Sequence, residues 1–271
     1  MKLVGLRRWK LWLAAGAAAL GCLSLSLLYA QRPQGTYNLE GEFYPSPPDW
    51  DRPTEFYYAR LIYRYNGVGR WGPRSWMIDS PAADRHFLEG VARLTTIDAA
   101  TMEKYVRPID PDFFDYPWLY AVEVGQWTFT DEEASLIREF LARGGMLVVD
   151  DFHGTFEWSC FVQGLRKIIP DRPIVEIQSS DPVFHTLYDL DHRFQVPGLQ
   201  YLYTGKIYEL DGVEPHWRGI YDDKGRLLVV INFDMDLGDS WEHADFPPYE
   251  EKYTALGYRL GINYIIYDMT H

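Results

Sequence analysis

The chain has 271 residues, a net charge of −13 and 16% aromatic residues. Residues 1–30 carry four of its basic residues and none of its acids, so the remainder has a net charge of 22 − 39 = −17. An acidic surface repels phosphate backbones, which argues against nucleic acid as a partner. The aromatic content indicates either an aromatic core or a stacking surface for sugars or peptides, and the core is the commoner case.

Residues 1–30 predict a membrane-directed segment. Four basic residues, the last of them Lys10, precede residues 11–30, which contain no charge. This pattern is typical of a signal-anchor transmembrane helix or of a signal peptide cleaved after Ala30. We favour the anchor, with the membrane as a partner through residues 11–30. Either alternative places the domain on the outer side of the cytoplasmic membrane, or makes it a secreted protein.

Residues 31–55 predict a linker, because proline, glycine and aspartate occur there without periodicity. Side chains alternate in character along residues 56–65, which predicts a first strand. The loop 66–79 contains three glycines, two tryptophans and two arginines. Ser80 and Pro81 then predict a helix start, with Ser80 as the cap and Pro81 at the first helical position. We therefore predict one α/β domain over residues 56–271.

Residues 118–154 predict a strand, a helix and a second strand. Thr130 and Glu133 form a capping box at the helix start, and apolar residues repeat at helical spacing up to a Gly-Gly stop. The second strand, residues 146–149, leads directly to Asp150, Asp151 and His153. Because open parallel sheets bind ligands at the carboxyl ends of their strands, the pattern predicts a site at this turn.

The remaining chain predicts further α/β elements. The patterns favour a helix over residues 155–169, a strand over 174–177, a hairpin over 217–231 that turns at 222–225, and a closing helix over 249–267.

Four segments carry a family resemblance. They are FTDEEASLIREFLARGG, VVDDFHG, RWGPRSWMIDSP and NFDMDLGDSWE. Over about residues 55–271 the chain resembles a bacterial domain-of-unknown-function family, number 4159. The resemblance implies a flavodoxin-like, class I glutamine amidotransferase-like open sheet flanked by helices. It implies no established activity.

The turn after residues 146–149 lacks the amidotransferase nucleophile. An amidotransferase places an activated cysteine directly after a strand. Here residues 150–154 read DDFHG, and Cys160 lies within the predicted next helix. Acyl transfer through a thioester is therefore not expected.

Asp151, His153 and Glu123 are the candidate catalytic residues. Asp151 or His153 has the chemistry of a general base, or both could bind a metal together with Glu123 from the neighbouring strand end. The alternative for Asp150 and its neighbour is that they cap the next helix through its free amides. The sequence does not identify a cofactor or a metal.

The segment 232–242 is the second candidate site. Asp234 and Asp236 belong to a run that fails the EF-hand pattern, because its glycine is one residue late and His243 occupies the twelfth position. The run is either an irregular oxygen site for a hard cation or a solvated acidic loop. Nearby aromatic residues are either stacking faces for a sugar or anchors that fix loops, and they are Trp71, Trp76, Trp127 and Trp241.

Arginines of the loop 66–79 complete the candidates. Arg70 and Arg74 form an arginine fork that suits a carboxylate or a phosphate, or else Arg74 pairs with Asp79 or Asp150 and orders the loop.

Together these features predict one cleft formed by residues 66–79, 123–127, 150–154 and 232–242. We predict an exported or membrane-anchored ligand-binding or regulatory envelope domain, with a small molecule, a carbohydrate or an envelope protein as its partner. The alternative is a hydrolase of a carbohydrate or related small substrate that uses His153 and Asp151, with or without a metal.

Overall fold

The computed structural model describes residues 34–271, which fold around a seven-stranded open sheet. The strands of this part of the chain are β1 Gly35–Tyr37, β2 Phe43–Pro45, β3 Ala59–Leu61, β4 Arg64–Tyr65, β5 Lys104–Val106, β6 Trp118–Val122, β7 Trp127–Thr128, β8 Met146–Asp150, β9 Val175–Glu176, β10 His216–Tyr221 and β11 Leu227–Phe233. The α-helices are α1 Ala82–Leu94, α2 Asp131–Ala142, α3 Gly154–Ile168, α4 Tyr201–Thr204, α5 Leu237–Glu242 and α6 Glu251–Thr270.

The sheet has the spatial order β5-β3-β6-β8-β11-β10-β9. The five strands from β5 to β11 are parallel, whereas β10 and β9 are antiparallel additions at one edge. Numbered along the chain, the parallel strands follow the order 2-1-3-4-5, which is the flavodoxin-like order. The predicted flavodoxin-like open sheet flanked by helices is confirmed.

Helices cover both faces of the sheet. Alternate residues of a strand point to opposite faces. Tyr120 of β6 belongs to the apolar cluster that includes residues of α1, α5 and α6, while Leu119 belongs to the cluster that includes residues of α2 and α3. Because both faces are covered, every residue of β6, β8 and β11 is buried, and these strands read as apolar runs rather than as alternating ones. Much of the aromatic content lies in this core.

The predicted β6-α2-β8 unit forms as the sequence indicated. The Thr130 hydroxyl accepts a hydrogen bond from the Glu133 amide at 3.2 Å, and the Glu133 carboxylate accepts one from the Thr130 amide at 2.8 Å. The start of α2 is thereby fixed, and α2 returns the chain so that β8 pairs with β6 in parallel.

Three predicted elements differ from the structure. Residues 56–65 form two short strands, β3 and β4, rather than one, and residues 35–45 of the predicted linker contain the β1-β2 hairpin. Ser80 does not cap α1, because its hydroxyl donates to the Asp84 carboxylate at 2.8 Å and also contacts the Tyr105 hydroxyl at 2.7 Å.

The expectation of a transmembrane signal anchor needs correction. Among residues 34–271, no helix combines the length and the apolar character needed to span a membrane. The structure therefore does not bear out a transmembrane helix. The segment 11–30, on which the prediction was placed, lies outside the residues that the structure describes.

Candidate functional site

The carboxyl edge of the sheet contains a topological switch point between β3 and β6. From β3 the chain moves to β5 on one side, whereas β6, β8 and β11 follow on the other side. Crossover connections therefore diverge here and leave a crevice above the strand ends, which is the usual ligand site of this architecture.

A cavity of about 530 Å³ lies above this switch point. Its walls come from the loop 66–80, the turns that follow β6 and β8, the segment 199–209, and α5 with its flanks. The β1-β2 connection closes one side. The sequence analysis predicted that the loop 66–79 and the segment 232–242 meet in one cleft. Both contribute side chains to this cavity.

Carboxylates dominate the wall of the cavity. Eight acidic residues line it: Glu40, Asp79, Glu123, Asp151, Glu209, Asp236, Asp239 and Glu242. The basic groups in the same wall are Arg70 and His243. Arg70 pairs with Glu209 at 2.7 Å, and His243 lies 3.4 Å from Asp239. Most of the acidic groups that line the cavity therefore have no basic partner in its wall.

Three of these acidic residues have a left-handed backbone conformation. The φ angles are 62° at Asp79, 54° at Glu123 and 49° at Asp151. Residues other than glycine adopt a positive φ at a conformational cost, although aspartate tolerates it better than most residues. Such positions concentrate at ligand sites, since the surrounding structure must hold them there.

Burial and mutual repulsion disfavour ionisation of these acids. Burial raises the pKa of Glu123 well above its usual value, and the charge of Asp151 raises it further. Burial likewise raises the pKa of Asp236, with further contributions from Asp151 and Asp239. The pKa of Asp79 is raised by burial and then by Asp239 and Glu242. A cation in the cavity would remove part of this repulsion.

Asp151 connects the cavity to the buried His153. The His153 Nε2 atom lies 3.1 Å from the Asp151 carboxylate, and His153 is 2% exposed and does not line the cavity. Burial lowers the pKa of His153, but the hydrogen bond and charge of Asp151 outweigh burial and raise it. The structure therefore brings Glu123 and Asp151 to the cavity and places His153 behind Asp151.

Asp150 and Asp234 act as caps. The Asp150 carboxylate accepts hydrogen bonds from the Leu237 and Gly238 amides at the start of α5, at 2.7 and 3.1 Å. The Asp234 carboxylate accepts one from the Gly154 amide at the start of α3, at 2.7 Å. The capping alternative thus describes Asp150, but for α5 rather than for α3. Asp236 lines the cavity, whereas Asp234 does not.

Three of the predicted stacking tryptophans lie away from the cavity wall. Trp241 is fully buried against Phe87. Trp127 is 1% exposed and donates its indole proton to the Phe161 carbonyl at 3.0 Å, and Trp76 packs against Tyr105. Their rings serve as packing anchors, because each meets apolar or aromatic neighbours. Trp71 is the tryptophan that lines the cavity, and half of its surface is exposed.

The two arginines of the loop separate. Arg70 lines the cavity and lies 2.7 Å from Glu209 and 3.8 Å from Glu157. Arg74 is exposed and lies outside the cavity wall. No arginine fork for an anion therefore forms here, since the acidic residues already occupy Arg70.

The cavity wall offers no activated cysteine or serine nucleophile among the described residues. Cys160 lies within α3, is half-buried and is not part of the wall. Ser80 lines the cavity, but its hydroxyl is committed to Asp84. The turn that follows β8 carries Asp151 and His153 and contains neither cysteine nor serine.

Four wall carboxylates were not singled out individually from the sequence. Asp239 and Glu242 lie in the segment 232–242, so the density of acids there was their signal. Glu40 and Glu209 lie in irregular segments, and no periodic pattern points to them.

Comparison with known proteins identifies the family. A search of curated proteins finds no match to the chain. A family description covers the part of the chain that holds the sheet and most of the cavity, from β3 to the last turn of α6. The chain belongs to the family described as Domain of unknown function (DUF4159), which matches residues 59–269.

Proposed function

We propose that this domain is a binding domain for a small, positively charged ligand, which enters the cavity at the switch point. The observation that carries the proposal is the wall of eight carboxylates facing Arg70 and His243. Buried like charges destabilise each other, and a bound partner of opposite charge relieves this repulsion.

The cavity has the volume of a small-molecule site and lies at the edge of the sheet where such sites occur. Its volume of about 530 Å³ falls within the range of small-molecule sites, and its position follows the rule for open α/β sheets. A second cavity of about 410 Å³ lies at the opposite edge, where Arg138 and Lys224 mix with acids. A wall with both basic and acidic residues does not favour a cationic ligand over an anionic one.

Trp71 supports a cationic ligand independently of the carboxylates. Its exposed ring lies at the cavity, and the Arg70 guanidinium already sits 5.6 Å from the ring centre. Aromatic faces attract ammonium and guanidinium groups. An organic cation could therefore stack on Trp71 while its charge faces Glu123 and Asp151.

We further propose kinship with class I glutamine amidotransferase-like domains, with a binding or regulatory role in place of their chemistry. The flavodoxin-like sheet supports the kinship, and Asp151 at the nucleophile turn supports the change of role. An exported location of the domain stays a prediction.

A hydrolase is the second candidate. The observation that favours it is the Asp151 carboxylate, which faces the cavity, is hydrogen-bonded by His153 and has a pKa raised by burial. Such a group suits a general acid or base. Hydrolysis of chromogenic glycosides by the full chain, abolished by Asp151→Asn, would favour this candidate over pure binding.

Calorimetric titration of the full chain with spermidine, an organic trication, tests the binding proposal. We expect saturable binding that weakens with salt, because charge attraction drives it. Glu123→Gln should reduce the affinity by about tenfold or more, the scale of a lost charged contact. The control Glu132→Gln changes an exposed acid of α2 and should bind like the wild type. Binding of citrate instead of spermidine would overturn the proposal.

A further inference from the structure

Three aspartates converge at one end of the cavity. Asp79, Asp236 and Asp239 each place a carboxylate oxygen within 4.8 Å of the corresponding oxygens of the other two. Oxygens that share one Ca²⁺ ion at about 2.4 Å lie no more than about 4.8 Å apart. The three side chains therefore already have the spacing of ligands to one ion.

One oxygen of Asp79 has no hydrogen-bond partner in the described structure. The Oδ2 atom of Asp79 is buried and accepts no hydrogen bond from residues 34–271. A buried carboxylate oxygen without a donor costs free energy, and native structures rarely keep one without a reason. A bound cation would satisfy it.

Backbone contacts orient the other two carboxylates. Asp236 accepts a hydrogen bond from the Asp239 amide at 2.7 Å through Oδ1. Asp239 accepts one from the Leu199 amide through Oδ2 and faces His243 through Oδ1. Carboxylates held in this way lose little further freedom when they bind an ion.

Two glycines let the backbone approach this cluster. A β-carbon on Gly238 would lie 2.2 Å from Asp79 Oδ2, and one on Gly198 would lie 2.7 Å from Asp236 Oδ2. Any larger residue would push these oxygens away from their positions. The absence of side chains at Gly198 and Gly238 thus preserves the space around the three carboxylates.

We infer that Asp79, Asp236 and Asp239 form a binding site for one hard divalent cation, such as Mg²⁺, Mn²⁺ or Ca²⁺. The inference rests on the proposed function and names one ligand of that cavity. Carboxylate oxygens select hard cations, whereas thiolates and imidazoles favour softer ions. His243 lines the same cavity, and its ring is already engaged with Asp239 and Glu242.

Binding of Mn²⁺ to the full chain tests the site. The electron paramagnetic resonance signal of free Mn²⁺ decreases when the ion binds, so the loss of signal gives the number of bound ions. We expect one tight ion, displaced by excess Mg²⁺. Asp79→Asn should weaken binding by at least about tenfold, because it removes one charged ligand. The matched control Asp245→Asn alters an exposed acid just after α5 and should bind Mn²⁺ like the wild type.

A second variant separates loss of the ligand from loss of folding. Gly238→Ala keeps every carboxylate but crowds Asp79 Oδ2, so it should also weaken Mn²⁺ binding while its circular dichroism spectrum stays that of the wild type. Wild-type Mn²⁺ affinity in folded Asp79→Asn would overturn the site. Binding of spermidine without binding of Mn²⁺ would also overturn it and would leave the proposed function standing.

Discussion

The chain free of added cations is expected to resist denaturant better at about pH 5.5 than at about pH 8. Burial raises the pKa of Asp150 from 3.8 to about 7, with a further contribution from the charge of Asp151. Burial also raises the pKa of Asp268 to about 7, although Arg226 opposes it. The folded state therefore holds protons that the unfolded state has lost, and stability falls as the pH rises from about 4 to about 7.

His153, which lies behind Asp151, changes stability with pH in the same direction. The pKa of His153 is raised, so its stabilising contribution is present below the usual histidine value and is lost as the pH rises through the folded value. For Asp150 alone, the difference between about pH 5.5 and about pH 8 is about 2 kcal/mol. Hydrogen bonds from the Tyr120 hydroxyl and from the Leu237 and Gly238 amides stabilise the charged carboxylate and lower the pKa of Asp150, although burial outweighs them.

Guanidinium unfolding curves at the two pH values measure this effect. Asp150→Asn should remove about 2 kcal/mol of the pH dependence, because the amide cannot ionise. The control Asp171→Asn changes an exposed acid and should keep the wild-type dependence. Greater stability at the higher pH would contradict this account of the buried acids.

Arg60→Ala is expected to destabilise the domain by about 3–5 kcal/mol. Arg60 lies on β3 and pairs with Asp84 at 2.5 Å, and both side chains are fully buried. The substitution would leave the Asp84 charge buried without a partner. It would also leave the Trp76 and Ile78 carbonyls without the donors that they have at 3.1 and 2.7 Å.

An exposed pair provides the matched control for Arg60. Arg52 likewise donates two hydrogen bonds to one carboxylate, that of Asp98, but both side chains are about half exposed. Arg52→Ala should therefore cost far less stability than Arg60→Ala, because solvent screens an exposed pair. Because Arg60 holds the backbone that leads to Asp79, Arg60→Ala should also weaken Mn²⁺ binding, whereas Arg52→Ala should not. Equal losses of stability in the two variants would contradict the burial argument.

Local signals in the sequence were sufficient to predict the β6-α2-β8 unit, whereas the type of open sheet was an expectation from the family resemblance. The capping box of Thr130 and Glu133, the Gly-Gly stop and the apolar runs of β6 and β8 depend on residues close together in the chain. The antiparallel addition of β9 and β10 depends on long-range pairing, and only the β10-β11 hairpin had a local signal in its turn. Ser80 failed as a predicted cap because the Asp84 carboxylate, which is itself held by Arg60, attracts its hydroxyl.

The site was predictable where it follows strand ends and unpredictable elsewhere. Glu123 and Asp151 come directly after β6 and β8, so the topology alone brings them together. Trp241 follows the acidic run in the sequence, but the helical turn of α5 directs its ring into the core. Glu209 reaches the cavity from an irregular segment, and no periodicity could have placed it there.

The most direct test of the central claim is the unfolding midpoint of one variant at about pH 8, measured with and without added spermidine and Mn²⁺. The variant replaces three cavity carboxylates by their amides, Asp79→Asn, Glu123→Gln and Asp236→Asn. If these acids are kept for a cationic ligand at a cost in stability, the variant should be more stable than the wild type without cations and should not respond to them. A variant that is less stable than the wild type and is still stabilised by the cations would contradict the account.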